Sequence, residues 1–399
     1  MPTFEEAREL ILEQISPLGK ERIPLSKAGG RVLAEDVVAP WDMPHADNSA
    51  MDGYAVRSED CVEPSVLKVV GYHPAGGAVN VRVEKGCAVR IMTGAPLPEG
   101  GDAVVPLEET EESDSWVRIR VSVKAGAHVR YRGEDVRSND RVLSAGTVLR
   151  PPEISMLASV GKVLLSVYRR PLVAVLSTGD ELVEPGEPHT PGAIINSNTF
   201  SLAAALAEGG AEPVNLGIAR DDLSSLREKL AEGFSADALI TTAGVSMGDR
   251  DLVREALAEF SVREIFWKVA MRPGSPTAFG VRDGKPVFSL PGNPVSSLVT
   301  FEVFVRPALR KMMGQAEFLK PLVKATLKET VKKKEGRVQF LRVKIDLEEG
   351  KYVIRSAGDQ KTGILKTMVH ADGIALLPSD RTTFQAGDQV DVCLLYQRC

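Results

Sequence analysis

Carboxylates recur in pairs where the flanking residues break regular structure: Asp180 and Glu181 in STGDEL, Asp221 and Asp222 in IARDD, Asp249 and Asp251 in GVSMGDRD. Gathered at one cleft, they would repel each other unless a hard cation such as Mg²⁺ neutralised some of them. The competing account is N-capping of the next helix. Capping explains one acidic residue per loop and does not require pairs in three successive loops, so the cation is the favoured reading.

The same loops carry residues that expose backbone N–H groups, and helix starts after Asn196, Ser246 and Asn293 add donors and a positive dipole end. Such a site suits an anion held through a cation. Taken singly, Gly244 and Gly248 are turn residues, and Asn293 before Pro294 is ordinary helix initiation. Further along, Lys268 and Arg272 in KVAMRPGSP form a positive pair able to bind phosphate or another oxyanion. A second acidic edge lies upstream: Asp47 and Asp52 in DNSAMDGYAVR, Thr93 in RIMTGAP, Glu134 and Asp135 in RGEDV. The two acidic faces could close on one ligand.

Other chemistries lack their signatures. No GK is followed by Ser or Thr, no GxGxxG opens a helix, and no His-paired nucleophile is present. Cys61, Cys87, Cys393 and Cys399 lack CxxC spacing, and His45, His73, His128, His189 and His370 are scattered singly. Metal-assisted chemistry on a phosphate remains. A net charge of -5 with 26% charged residues offers no basic field for nucleic acid or anionic lipid. The acidic, amphipathic start MPTFEEARELILEQI and the lack of a membrane-length apolar run point to a soluble cytoplasmic protein.

These loops need elements to position them. The 399 residues exceed what one core organises, so several domains are expected. Apolar residues from Phe4 to Leu18 recur every three and four positions and predict an amphipathic helix. Short valine-rich runs between about Val37 and Leu149 predict a β-rich module. The run from Pro151 predicts a helix and then a strand, and if it packs back on the N-terminal helix the β-rich module is an insertion. Beyond Arg170, strand, loop and helix alternate (LVAVLS, PVNLGIA, ALITTA, PVFSL and their following helices), the pattern of a mostly parallel α/β sheet. Ligands of such sheets sit at the carboxyl ends of the strands, where STGDEL, IARDD, TTAGVSMGDRD and LPGNPVS fall. After Met313 only strand-like segments follow. Predicted domains are therefore 1–36 with 142–170, helical; 37–141, inserted and β-rich; 171–316, α/β; and 317–399, a C-terminal β-barrel-like domain. The five lysines from Lys324 to Lys334 read as a solvated strand edge.

In order, DNSAMDGYAVR, RIMTGAP, RGEDV, STGDEL, TTAGVSMGDRD, KVAMRPGSP and LPGNPVS resemble the motif series of the molybdopterin molybdenumtransferase family (MoeA, gephyrin E-domain). The match runs from the N-terminal helix through Leu309, and the C-terminal domain matches loosely. The resemblance implies an elongated four-domain homodimer whose active site lies between the α/β domain and the β-rich domain of the partner subunit. It implies Mg²⁺-dependent insertion of molybdate into adenylylated molybdopterin with release of AMP. By motif position, Asp52, Asp135, Glu181, Asp221 and Asp251 are the implied catalytic residues, with Glu181, Asp221 and Asp251 as metal ligands. Asp47, Thr93, Ser197, Arg220, Ser246, Lys268, Arg272, Pro291 and Pro294 are the implied substrate contacts. Ala243 stands where the family commonly has Gly, and Ser275 where it often has Lys. Two alternatives stay open: a molybdopterin adenylyltransferase, which shares the TTAGVSMGDRD type of loop, and a non-catalytic dimeric scaffold.

Overall fold

The computed structural model describes residues 1–77, 81–188, 190–244 and 252–395. Ser246, Gly248, Asp249 and Asp251, from the sequence reading above, lie outside them. The chain divides into two units, one comprising Met1–Ala34, Gly146–Arg150 and Leu164–Cys399, the other Glu35–Ala145 and Pro151–Val163.

The smaller unit is a mixed six-stranded sheet of β1 (Gly53–Val56), β2 (Ser65–His73), β3 (Cys87–Ile91), β4 (Ala103–Pro106), β5 (Thr110–Glu112) and β6 (Trp116–Ile119), in the order β4-β1-β3-β2-β6-β5. Period-2 alternation sends Tyr54 and Val56 to one core and Ala55 to another, so this sheet is covered on both faces. Helix α2 (Pro151–Ser159) belongs to this unit.

The larger unit begins with α1 (Phe4–Glu13), started by a capping box in which Thr3 and Glu6 bond each other's backbone N–H. Its Phe4 packs on Phe304 and Phe340 with ring centroids 5.4 and 5.0 Å away. The strand Lys20–Pro24 pairs antiparallel with Leu164–Tyr168.

The α/β domain follows in the predicted alternation: β7 (Leu172–Thr178), α3 (Asn198–Glu208), β8 (Glu212–Ala219), α4 (Leu223–Gly233), β9 (Ala238–Thr242), α5 (Leu252–Glu259), β10 (Arg263–Phe266), β11 (Met271–Arg272), β12 (Ala278–Arg282), β13 (Lys285–Leu290) and α6 (Pro294–Thr300). Its sheet order is β8-β7-β9-β13-β12-β10, parallel across the first four strands and antiparallel at the β12 and β10 edge. Val173 and Val175 face α3 and α6, while Ala174 and Leu176 face α4 and α5. Burial on both faces explains why these strands read as continuous apolar runs. Because β8 and β9 lie on opposite sides of β7, the chain changes direction at β7, and a crevice opens at the carboxyl ends there.

Through a π-helical turn (Phe301–Val305), α6 continues into α7 (Arg306–Met312). The C-terminal domain is a closed five-stranded barrel of β14 (Leu322–Leu327), β15 (Val338–Glu348), β16 (Lys351–Ser356), β17 (Gly373–Leu377) and β18 (Gln389–Leu394), closed by β15 pairing with β17. Strand β11 adds to it in parallel, setting Arg272 opposite Gln339. The predicted architecture of a mostly parallel α/β domain with β-rich modules and a barrel-like C-terminal domain is the one observed.

Candidate active site

Two strands end in hydroxyl-bearing residues, and with the turn after a third these build the floor of a cavity of about 350 Å³. Ser177 comes from β7, Thr242 from β9, and Pro291 and Gly292 follow β13, while Asn196, Ser197 and Asn198 enter from the start of α3. Beneath it, Asn196 Nδ2 donates to Glu184 Oε1 (3.2 Å), so its Oδ1 faces inward, accepting from Ser177 Oγ (3.0 Å) and Thr199 N–H (3.4 Å). With its single proton used on Asn196, Ser177 Oγ can only accept from Thr199 Oγ1 (2.8 Å) and Thr242 Oγ1 (3.0 Å). Thr242 therefore spends its proton downward and keeps its lone pairs.

Of the sequence-predicted residues, Glu181, Ser197, Pro291 and Pro294 line this cavity. Gly179 has a φ of +143°, a backbone conformation that residues with a side chain rarely adopt, so the turn that places Glu181 favours glycine. Asp221 lies alongside: its N–H donates to Asp180 Oδ1 (3.1 Å), and Asp180 N–H donates to Asp221 Oδ2 (3.3 Å). These reciprocal bonds lock the loops after β7 and β8 together with both carboxylates exposed. Arg220 holds the same junction, donating through Nη1 to Asp180 O (3.1 Å) and Leu182 O (3.2 Å). Asp222 is a helix cap, accepting from Ser225 N–H at 2.8 Å, so capping accounts for this one member of the pairs. Among the described residues no three His, Cys, Asp or Glu side chains form a ready metal cage.

A second cavity, of about 500 Å³, shares Pro276, Pro291 and Asn293 with the first. Its charge is opposite: Arg272 from β11 meets Lys334 and Arg337 from the barrel, with Glu335 the one acidic lining residue. Next to it, Lys332, Lys333 and Lys361 join Arg272 and Lys334 around a further 350 Å³. The lysine run is thus not only a solvated edge: Lys324 and Lys328 pair with Asp391 and Glu348, whereas Lys332 to Lys334 turn toward Arg272. The cause is the pairing of β11 with β15, a contact invisible to local patterning. Arg342, fully buried, pins the adjoining loop by donating to Thr367 Oγ1 (2.8 Å), Asp359 O (3.1 Å) and Lys361 O (3.2 Å). Lys268, half-buried between β10 and β11, is not among the residues lining these cavities.

In the smaller unit, Asp52 accepts from Thr93 Oγ1 (2.6 Å) and Thr93 N–H (2.7 Å), and these bonds hold its carboxyl below the usual range. Asp47 accepts from Arg132 N–H at 2.7 Å. Glu134 bonds Tyr131 N–H (2.8 Å) and Arg130 Nε (3.1 Å), which likewise lower its pKa. Asp135 is exposed, with its backbone N–H donating to Met43 O.

Sequence reasoning missed Ser177, Asn198 and Thr242 as cavity residues. The available signal was hydroxyl-bearing residues ending otherwise apolar strands, LVAVLST and ALITT.

The α/β domain, with its crevice at the strand ends, is of the molybdopterin-binding class by its family match. Residues 2–161 match the family described as MoeA N-terminal region (domain I and II), 174–311 the probable molybdopterin binding domain, and 324–395 the MoeA C-terminal region (domain IV). Molybdopterin molybdenumtransferase 2 of Mycobacterium tuberculosis is 39% identical over 98% of this chain and 99% of its own length. The molybdopterin molybdenumtransferase of Haemophilus influenzae is 37% identical over 98% of each. The crystal structure of the molybdopterin biosynthesis MoeA protein from Pyrococcus horikoshii OT3 superposes with a TM-score of 0.85 at 31% identity, covering 99% of this chain and 100% of that one. The chain belongs to the MoeA family of molybdopterin molybdenumtransferases, enzymes of molybdenum cofactor biosynthesis. Among the described residues no helix is long and apolar enough to cross a membrane.

Proposed function

We propose that this enzyme inserts molybdate into adenylylated molybdopterin, cleaving the adenylate phosphate bond, releasing AMP and leaving molybdenum on the dithiolene. The observation that carries the reading is the adjoining of two cavities of opposite character across Pro276, Pro291 and Asn293. Glu181 lines the first, and it follows Asp180 in the loop that Asp180 and Asp221 lock together; these are oxygen donors of the kind Mg²⁺ takes together with substrate phosphates. When bound there, Mg²⁺ would supply neutralisation of charge on the phosphates. Arg220 keeps the two carboxylate loops in register, so the donors need no reorganisation when ligand arrives.

Arg272, Lys334 and Arg337 give the second cavity the charge to hold the molybdate dianion. Lys268, Ser197, Ser246, Pro291 and Pro294 are assigned to substrate positioning, and Asp251 to the cation. Asp47, Asp52, Thr93 and Asp135 are assigned to the same reaction from a partner subunit in a cytoplasmic homodimer. Incubation with adenylylated molybdopterin, Mg²⁺ and molybdate should release AMP only when molybdate is present. Molybdate-independent release, or none, would overturn the assignment.

A further inference from the structure

The first cavity has a floor of hydrogen-bond acceptors, and this decides which end of a substrate it takes. Asn198 Nδ2 donates to Gly292 O at 2.8 Å; because a carbonyl only accepts, this fixes the amide with Oδ1 as its other atom. Asn198 is 8% exposed, lines the cavity, and its buried Oδ1 has no partner among the described residues. A buried acceptor without a donor is costly and rare in folded proteins. Beside it, Thr242, 1% exposed, has committed its proton to Ser177 and likewise offers only lone pairs. No Lys or Arg is among the described residues that line this cavity, and its one charged lining residue is Glu181. At the helix start, Thr199 N–H is already taken by Asn196 Oδ1.

An oxyanion would meet acceptors and a carboxylate here. A planar ring bearing N–H donors would meet complementary partners. The walls suit such a ring: Leu182 and the strongly exposed Ile194 and Ile195 stand at one side, and Pro276, Pro291 and Pro294 add further apolar surface.

We propose that this floor reads the aminated edge of the substrate's heterocycle, with Asn198 Oδ1 and Thr242 Oγ1 as the specificity-determining acceptors. The phosphates are thereby kept off the floor and left to the cation at the Glu181 side, and the molybdate to the cations of the neighbouring cavity. This inference rests on the function proposed above. An aminated edge exists on both rings of an adenylylated pterin, so the test pairs each ring with its deaminated analogue: pterin with lumazine, and AMP with IMP. Each analogue replaces an amino donor by a carbonyl, which would face another acceptor.

Equilibrium binding of the four compounds to the full chain, followed by pterin and lumazine fluorescence and by calorimetry for the nucleotides, gives two selectivity ratios. The native protein should prefer the aminated member of one pair by about tenfold to a hundredfold. That ratio should fall to near one in both Asn198→Leu and Thr242→Val, and return in Thr242→Ser. A ratio is unchanged by partial loss of folded protein, so a destabilised variant still reports. The pair whose ratio collapses identifies the ring. If both ratios persist in both variants, or the native chain binds these compounds without selectivity, the acceptor floor is overturned and the proposed function stands. If the native chain binds none of the four, the proposed function falls with it.

Discussion

Gly244, at the end of β9, tests the crevice geometry most directly. Its φ is +69°, and a Cβ there would lie 2.2 Å from Val253 Cγ2 and 3.0 Å from Val253 Cβ. Gly244→Ala therefore incurs two costs. An L-residue in the left-handed region costs about 1–2 kcal/mol. Forcing a methyl into Val253 of α5 adds about 1–3 kcal/mol of overpacking. The sum, about 2–5 kcal/mol, should lower the unfolding midpoint of the α/β domain by about 5–15 °C in calorimetry. Val253→Ala removes the nearest atom, so the pair should couple by about 1–3 kcal/mol in a double-mutant cycle. Ala243 supplies a control of opposite sign. It sits at φ +69° with a methyl already in place, so Ala243→Gly relieves about 1–2 kcal/mol and loses about 0.5–1 kcal/mol to glycine's freedom in the unfolded chain. It should be neutral or stabilised. A Gly244→Ala protein as stable as the parent, or coupling to Val253 near zero, would refute the left-handed turn.

Further outcomes follow from other contacts. Thr93→Val removes the hydroxyl donor to Asp52 and should raise the Asp52 pKa toward that of a free carboxylate, read by NMR titration. The sign is that of a depressed acid: stability from the ionised Asp52 is present above about pH 4 and is lost as pH falls through its lower folded value. Glu302→Ala removes the nearest partner of the Arg306 guanidinium, whose side chain is 6% exposed and which donates to Glu302 at 2.6 Å, leaving it the 3.3 Å contact with Glu208. It should cost about 3–5 kcal/mol in denaturant unfolding. Arg220→Met should cut molybdate-dependent AMP release while costing about 1 kcal/mol or less of stability, because the bonds it loses are exposed. Combined Lys334→Ala and Arg337→Ala should raise the molybdate concentration needed for half-maximal AMP release and weaken its dependence on salt.

The α/β domain was legible because each strand buried on both faces is a bare apolar run and each following helix repeats every three or four residues. The loops between them were legible as a group, since the carboxyl ends of parallel strands face one way. What each loop residue does was not. Asp221 and Asp222 are adjacent, yet one bonds the neighbouring loop and the other caps α4. That difference depends on where Asp180 arrives from another strand. Arg220, implied as a substrate contact by the resemblance, also braces two carbonyls, which no local pattern foretells. The lysines at 332–334 read as a solvated edge because the residue that gives them a common cavity, Arg272, lies some sixty positions earlier and joins them through a two-residue strand.

The separation of charge between the cavities bears on why the site joins two domains. A single pocket holding both carboxylates and cations would satisfy itself by internal ion pairs and offer little to a ligand. Here Glu181 lines one cavity and Arg272, Lys334 and Arg337 the other, with Pro276, Pro291 and Asn293 lining both. Each set keeps unspent capacity, one for a cation and the other for a dianion. Under the function proposed above, such an arrangement would bind substrate phosphate and molybdate as distinct partners brought side by side, the positioning that an insertion reaction requires.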